Sequence, residues 1–143
     1  MNEYDVLKLE NQLCFPLYAC SKEVVRLYKP FLDEIDLTYT QYITMMVLWD
    51  KERVTVKELG ESLYLDSGTL TPVLKALEKK GYVTRSRSKE DERVLNVSIT
   101  KEGLSLRDQA KEIPKKMGSC ICLSPEDASN LYRILYQVLG SIT

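Results

Sequence analysis

Apolar positions recur at steps of three and four along the first part of the chain, at Val6, Leu9, Leu13, Leu17, Cys20, Val24, Leu27 and Phe31. That period marks one face of a helix about 25 residues long. Two prolines qualify it. Pro16 cannot donate to residue 12 and crowds its carbonyl, so the helix starts late or kinks there. Lys29-Pro30 then bends or ends it. A second helix fits Tyr39 to about Lys51, with Tyr42, Met45, Met46 and Trp49 facing inward.

Two shorter helices follow. Thr55 caps one whose apolar face is Val56, Leu59 and Leu63; "YLD" turns the chain; Asp66 or Ser67 caps another running to Lys80. Leu70, Val73, Leu74 and Leu77 share a face of that helix, and Gly81 fits its stop. Two short helices joined by a tight turn predict a helix-turn-helix. The period then drops to two: "YVTRSRS" and "RVLNVSIT" alternate like strands around the polar turn "KEDE". A charged hairpin in that place is a wing. Thr100 caps a long helix over about 101–117, and "SPED" at 124–127 opens the last one. Its seam of Ala128, Leu131, Leu135, Val138 and Ile142 needs a partner.

Apolar stripes at both ends thus bracket a central winged unit. Packing them together hides both, within one chain or across a dimer. A dimer is favoured because a helix-turn-helix usually reads two half-sites, roughly 34–36 Å apart. The expected fold is mostly α with a small β wing. It is one domain over 1–143, with dimerisation helices at about 5–35 and 101–142 and the winged helix-turn-helix at about 39–100.

Composition narrows the chemistry. The chain has 143 residues, 44% apolar and 29% charged, which suits one globular domain. It has no histidine, which excludes Ser-His-Asp and Cys-His nucleophiles and the usual zinc sites. Four cysteines without a CxxC pair argue against zinc, and no phosphate-binding glycine loop is present, so no metal, cofactor or enzymatic activity is expected. The charged N-terminus and the lack of an 18-residue apolar run predict no signal peptide and no membrane span. The expected location is the cytoplasm, where thiols stay reduced unless they act.

Net charge is −1, but residues 71–101 hold eight Lys/Arg against four Asp/Glu. A basic segment on an acidic body is the footprint of a nucleic-acid contact. With the leucines inward, the second motif helix presents Ser67, Thr69, Thr71, Pro72, Lys75 and Lys79. Small hydroxyls near its N-terminus suit base edges and phosphates, the Thr methyls and the Pro ring suit thymine methyls, and the lysines suit phosphates. The wing offers Arg85, Arg87, Lys89 and Arg93, with Asp91 placed to hold Arg93 in a bidentate pair.

The order of elements, with "DERVLNVSIT" at 91–100, resembles the MarR family of dimeric winged-helix regulators, whose wing signature is met by Asp91, Arg93 and Thr100. More narrowly, "QLCFPLYACS", "YLDSGTLTPVLKALEKKG" and "SKEDER" are similar to its organic-hydroperoxide-sensing, OhrR-type branch. The resemblance covers about residues 7 to 142. It implies a homodimeric repressor of double-stranded operator DNA that leaves when one cysteine is oxidised. Cys14 matches the reactive cysteine, and Tyr28 and Tyr39 match the tyrosines that hydrogen-bond it.

Physical reasoning sets a condition on that match. Fourteen residues of helix separate Cys14 from Tyr28 by about 21 Å, so they meet only across an antiparallel pair of subunits. Amides freed near Pro16, and phenol donors, favour the thiolate that peroxides oxidise. Cys20 lies on the apolar stripe and is expected in the core. In two-cysteine members of the branch a second cysteine near the last helix bridges to the other subunit's sensor. Cys120 or Cys122 fits that part, Cys120 slightly better; single-cysteine members use a low-molecular-weight thiol instead. Two rivals remain, a MarR-type repressor relieved by a small aromatic ligand and a thiol peroxidase. Against the second, Cys14 lacks the Pro and Thr that precede a peroxidatic cysteine in peroxiredoxins.

Overall fold

The chain begins with two short 3-10 turns, Glu3–Leu7 and Leu9–Asn11, in a computed structural model that describes residues 2–143. The apolar stripe therefore does not start on one continuous helix. The side-chain amide of Gln12 donates to the carbonyls of Val6 and Lys8 at 2.7 and 2.8 Å, which satisfies them outside any α-helix. Helix α1, Cys14–Asp33, starts late, with Pro16 in its first turn, where a missing amide loses nothing. It does not end at Lys29-Pro30. Only the Arg26 carbonyl is deprived of its amide, so near the helix end, and α1 runs on to Asp33.

Helix α2, Tyr39–Lys51, has the predicted bounds and opens on a capping box between Thr38 and Gln41. Its inward face is rotated from the expected one. Met46 is exposed, while Thr44 and Leu48 are buried beside Met45 and Tyr42. Thr44 tolerates burial because its hydroxyl donates to the Thr40 carbonyl at 2.7 Å.

The remaining elements are β1 (Arg53–Thr55), α3 (Val56–Leu63), α4 (Ser67–Lys79), β2 (Val83–Arg87), β3 (Leu95–Ile99), α5 (Lys101–Ala110), α6 (Ile113–Cys120) and α7 (Pro125–Ile142). The strands form an antiparallel sheet in the order β1-β3-β2, with Val54 opposite Val97 and Arg85 opposite Val97 on the other side. Sequence periodicity misses β1, since three residues are too few to show a period. Leu59, Leu70, Leu74, Leu77, Val83 and Val97 are buried and form the core of the winged part.

The chain divides into two compact units, one ending at Lys111 and one spanning Glu112–Thr143. The single helix expected over 101–117 is two helices, α5 and α6, interrupted at Lys111–Glu112. Pro114 explains the interruption: it has no amide for the Ala110 carbonyl and disfavours helical backbone at the residue before it.

Cys20 is a further correction. It is exposed, because much of the stripe it belongs to faces solvent: Leu13 is 88% and Leu17 45% exposed. Leu131, Val138 and Ile142 of α7 are likewise exposed. Among the described residues, no helix is long and apolar enough to cross a membrane.

Candidate DNA-binding and redox sites

Each helix of the helix-turn-helix is started by a side chain that the sequence supplies locally. Thr55 accepts from the Glu58 amide at 3.0 Å and Asp66 from the Thr69 amide at 2.7 Å. The Thr69 amide holds the Asp66 carboxyl below the usual carboxylate range. Between them Tyr64 takes a left-handed conformation (φ 57°). Gly60 lets the turn pass: a Cβ there would lie 2.6 Å from the Leu65 carbonyl oxygen. With Leu70, Leu74 and Leu77 turned inward, Ser67, Thr69, Thr71, Pro72, Lys75 and Lys79 are all exposed. The Thr71 hydroxyl donates to the Ser67 carbonyl at 2.7 Å, which occupies its proton. Gly81, at φ 85°, ends the helix with paired bonds: its amide donates to Glu78 and the Tyr82 amide donates to Leu77.

The wing separates its cations. Asp91 grips Arg93 by two bonds from the guanidinium, 3.1 and 3.2 Å, and a third from the Arg93 amide, 3.0 Å. Arg93 is nonetheless 91% exposed, a charge held outward on a fixed stalk. The Arg93 guanidinium, then its amide, holds the Asp91 carboxyl below its ordinary value. Arg87 donates to the Glu92 carbonyl at 3.0 Å across the hairpin, and Lys89 is exposed near its tip. Arg85 differs. Its guanidinium reaches back to Glu78 of α4 at 3.1 Å, and it is only 21% exposed, so it ties the wing strand to α4. Glu78 carries no mark in the sequence; its seven-residue separation from Arg85 becomes contact only through the turn at Gly81.

Cys14 is the first residue of α1 and is exposed. Its cap position, Leu13, offers no side-chain acceptor to the first-turn amides. Phe15 and Pro16, with Lys8, Leu9, Glu10 and Gln12, line an open cleft of about 640 Å³ next to it.

Tyr28 lies fourteen residues along the same uninterrupted helix, about 21 Å away. There it packs on Tyr39, the first residue of α2, with ring centres 4.9 Å apart, and on Tyr42 at 5.7 Å. Tyr42 meets Trp49 edge-on at 6.3 Å, and the Trp49 indole donates to the Gly103 carbonyl at 2.8 Å. Burial, then the neighbouring Tyr39, raises the Tyr28 phenol above its usual value. Burial raises Tyr39, and burial with both other phenols pushes Tyr42 up to about 12. All three thus stay protonated as O–H donors at neutral pH. Within one chain the structure joins the two tyrosines and leaves Cys14 at the far end of α1. Cys120 closes α6 and Cys122 follows it; both are exposed. Among the described residues, no group of three or more His, Cys, Asp or Glu is placed to hold a metal ion.

A capped recognition helix with small and basic groups outward, tied to a hairpin bearing a fixed arginine, defines a winged helix-turn-helix protein. The transcriptional regulator SarA/Rot family matches residues 26–110. The organic hydroperoxide resistance transcriptional regulator of Bacillus subtilis is 48% identical over 141 residues, covering 99% of this chain and 96% of that protein. The chain belongs to this family of transcriptional regulators and, within the wider MarR family, to its organic-hydroperoxide-sensing, OhrR-type branch. Two solved structures of AbfR, a Staphylococcus epidermidis protein 31% identical to this chain, are also similar. The reduced form bound to DNA has a TM-score of 0.81 and covers 99% of this chain and 98% of that one. The disulfide form has a TM-score of 0.66, with 96% of each chain covered.

Proposed function

We propose that this protein is a homodimeric repressor that binds double-stranded operator DNA through α4 and the wing, and leaves it when an organic hydroperoxide oxidises Cys14. The observation that carries the reading is the placement of one reactive group and its donors at opposite ends of α1. Cys14 sits solvent-facing on an uncapped first turn, and Tyr28 and Tyr39 sit paired about 21 Å away. Two subunits with antiparallel first helices bring each cysteine to the other's tyrosines. The exposed apolar side chains of α1 and α7 supply the surface for that pairing. In functional terms the whole chain acts as one domain, with dimerisation helices at about 5–35 and 101–142 around a winged unit at about 39–100, working in the cytoplasm.

The chemistry follows from the groups present. The Cys14 thiolate attacks a peroxide oxygen, the O–O bond breaks, an alcohol leaves and the sulfur becomes a sulfenic acid. The phenols of Tyr28 and Tyr39 donate to the thiolate before the reaction. Oxidation replaces the thiolate they hold with a neutral, bulkier sulfenic acid, so the interface shifts and the two α4 helices lose the spacing of the half-sites. Support for DNA as partner comes from the reduced AbfR complex, and for the oxidant from the B. subtilis relative's name. Cys120 and Cys122 are exposed, so either thiol is open to bridge to the other subunit's Cys14, and the bridge is the reading preferred to capture of a low-molecular-weight thiol.

The test is a gel-shift assay with Cys14→Ser. The variant is expected to bind operator DNA within a factor of about two of the parent, because the serine hydroxyl is close in size to the thiol and still accepts from the two phenols. It is expected to keep the DNA after cumene hydroperoxide treatment that frees the parent. Release of the variant at the parent's peroxide dose overturns the reading.

A further inference from the structure

Helix α1 turns into α2 at a corner anchored in the core. Leu32, Ile35 and Leu37 are buried there, and between them Asp36 takes a left-handed conformation, φ 53°. The Asp36 amide donates to the Asp33 carbonyl at 3.2 Å and the Leu37 amide to the Leu32 carbonyl at 3.1 Å, the paired bonds that close a helix C-terminus. The corner is thus bonded to the last turn of α1 and moves with it. Tyr39 begins α2 three residues beyond Asp36.

A cation from α4 grips this corner. Lys80 is the C-cap of α4. Its ammonium donates to the Asp36 carbonyl and, at 3.2 Å, to Oε1 of buried Gln41, and it lies 3.5 Å from the Asp36 carboxylate. The same Gln41 oxygen accepts from the Thr38 amide at 3.1 Å, in the capping box that starts α2. One side chain, only 28% exposed, therefore holds the exit of α1 and the entry of α2 together. Leu70, Leu74 and Leu77 also bury α4 in the core, but apolar packing has no direction and lets helices slide by an ångström or so. Hydrogen bonds are directional and do not. The Glu78–Arg85 pair ties α4 to the wing, so both parts that face DNA move as one.

We infer that Lys80 is the positioning residue that couples the redox site to α4: it makes α4 follow the α1–α2 corner when Cys14 is oxidised. This rests on the reading of Cys14 as the sensor. A shift of α1 at the subunit interface carries Asp36 with it, Lys80 draws the C-terminal end of α4 along, and the outward hydroxyls of α4 leave the groove. Without the ammonium the corner shifts while α4 stays on its core contacts.

The test measures operator affinity by fluorescence anisotropy, before and after cumene hydroperoxide, for the whole protein, Lys80→Met and Lys80→Arg. Mass spectrometry reads Cys14 oxidation in each sample. Methionine keeps the apolar stem, and Gln41 keeps the Thr38 amide, so the fold is retained. Reduced Lys80→Met is expected to bind within about threefold of the parent. Its ratio of oxidised to reduced Kd is expected to be about tenfold or more below the parent's, and Lys80→Arg, which keeps donors within reach, is expected to restore that ratio. A lysine that only stabilised the fold would weaken both states alike and leave the ratio unchanged. Equal ratios in Lys80→Met and the parent overturn the inference, as does a ratio that Lys80→Arg fails to restore. So do loss of reduced binding in Lys80→Met and a Cys14 that no longer oxidises in it. The two readings fail separately. A parent that keeps its DNA with Cys14 fully oxidised removes sensor and coupling together, whereas parental release with an equal ratio in Lys80→Met removes only the coupling.

Discussion

At the scale of single residues, the wing shows how one carboxylate directs a charge it does not neutralise. Asp91 spends both oxygens and an amide contact on Arg93, yet leaves that guanidinium almost wholly in solvent. A long side chain that is aimed before binding loses less freedom when it enters a minor groove. Asp91→Asn is therefore expected to weaken operator binding about tenfold, read by fluorescence anisotropy at fixed salt. Unchanged affinity would show that Arg93 needs no guide. The pH dependence has a definite sign. Because the folded Asp91 carboxyl titrates below its ordinary value of 3.8, its contribution is complete above that value and fades as pH falls through the lower folded one. Operator binding should accordingly show no Asp91 titration between about pH 6 and pH 8. The pairing of Asp91 with Arg93 was readable in advance. Asp91 and Arg93 are close in sequence, and their pairing needs only a tight turn. Glu78 was not, since its bond to Arg85 exists only once the strand folds back on the helix.

At the scale of elements, caps and breaks account for what was legible. Thr38, Thr55, Asp66, Thr100 and Ser124 each start the helix that follows them, because a side-chain acceptor satisfies an amide two or three residues on. Pro114 was present in the sequence, but a helix read from its Thr100 cap alone ran through it. The joint between the wing and α5 had no such local sign. Gly103 is buried there, and a Cβ on it would stand 2.3 Å from the Tyr82 carbonyl oxygen and 2.9 Å from Ile99. Its own carbonyl accepts the Trp49 indole proton. Gly103→Ala must push the hairpin off the helix, at a cost of about 3 kcal/mol. A fall in Tm of about 10 °C is expected in a thermal melt, and a fall of under about 2 °C would show that the joint yields freely.

At the scale of the whole molecule, α1 and α7 each carry exposed apolar side chains along one face. Leu131, Val138 and Ile142 of α7, and Leu13 and Leu17 of α1, carry the periodic stripes from which a partner was inferred. Placing a carboxylate in such a seam leaves it unpaired among apolar groups. Leu131→Glu is expected to raise the dimer dissociation constant about a hundredfold or more, read by sedimentation velocity. Operator affinity should fall with it, since one half-site is then held alone. A variant that sediments like the parent would take α7 out of the interface.

By itself the sequence determined α2, α3, α4 and α7, the starts of α3, α4, α5 and α7, the helix-turn-helix and its outward hydroxyls, the charged hairpin, and the distance along one helix that keeps Cys14 from Tyr28. These depend on residues within about four places of each other, where hydrogen bonding and side-chain period act directly. Tertiary structure alone decided that β1 joins the sheet, that Thr44 replaces Met46 on the inner face, and that Arg85 serves α4. It also decided that Trp49 holds Gly103, fifty-four residues on. Such contacts follow from how preformed elements pack, and packing chooses among faces by shape and volume that no local pattern records.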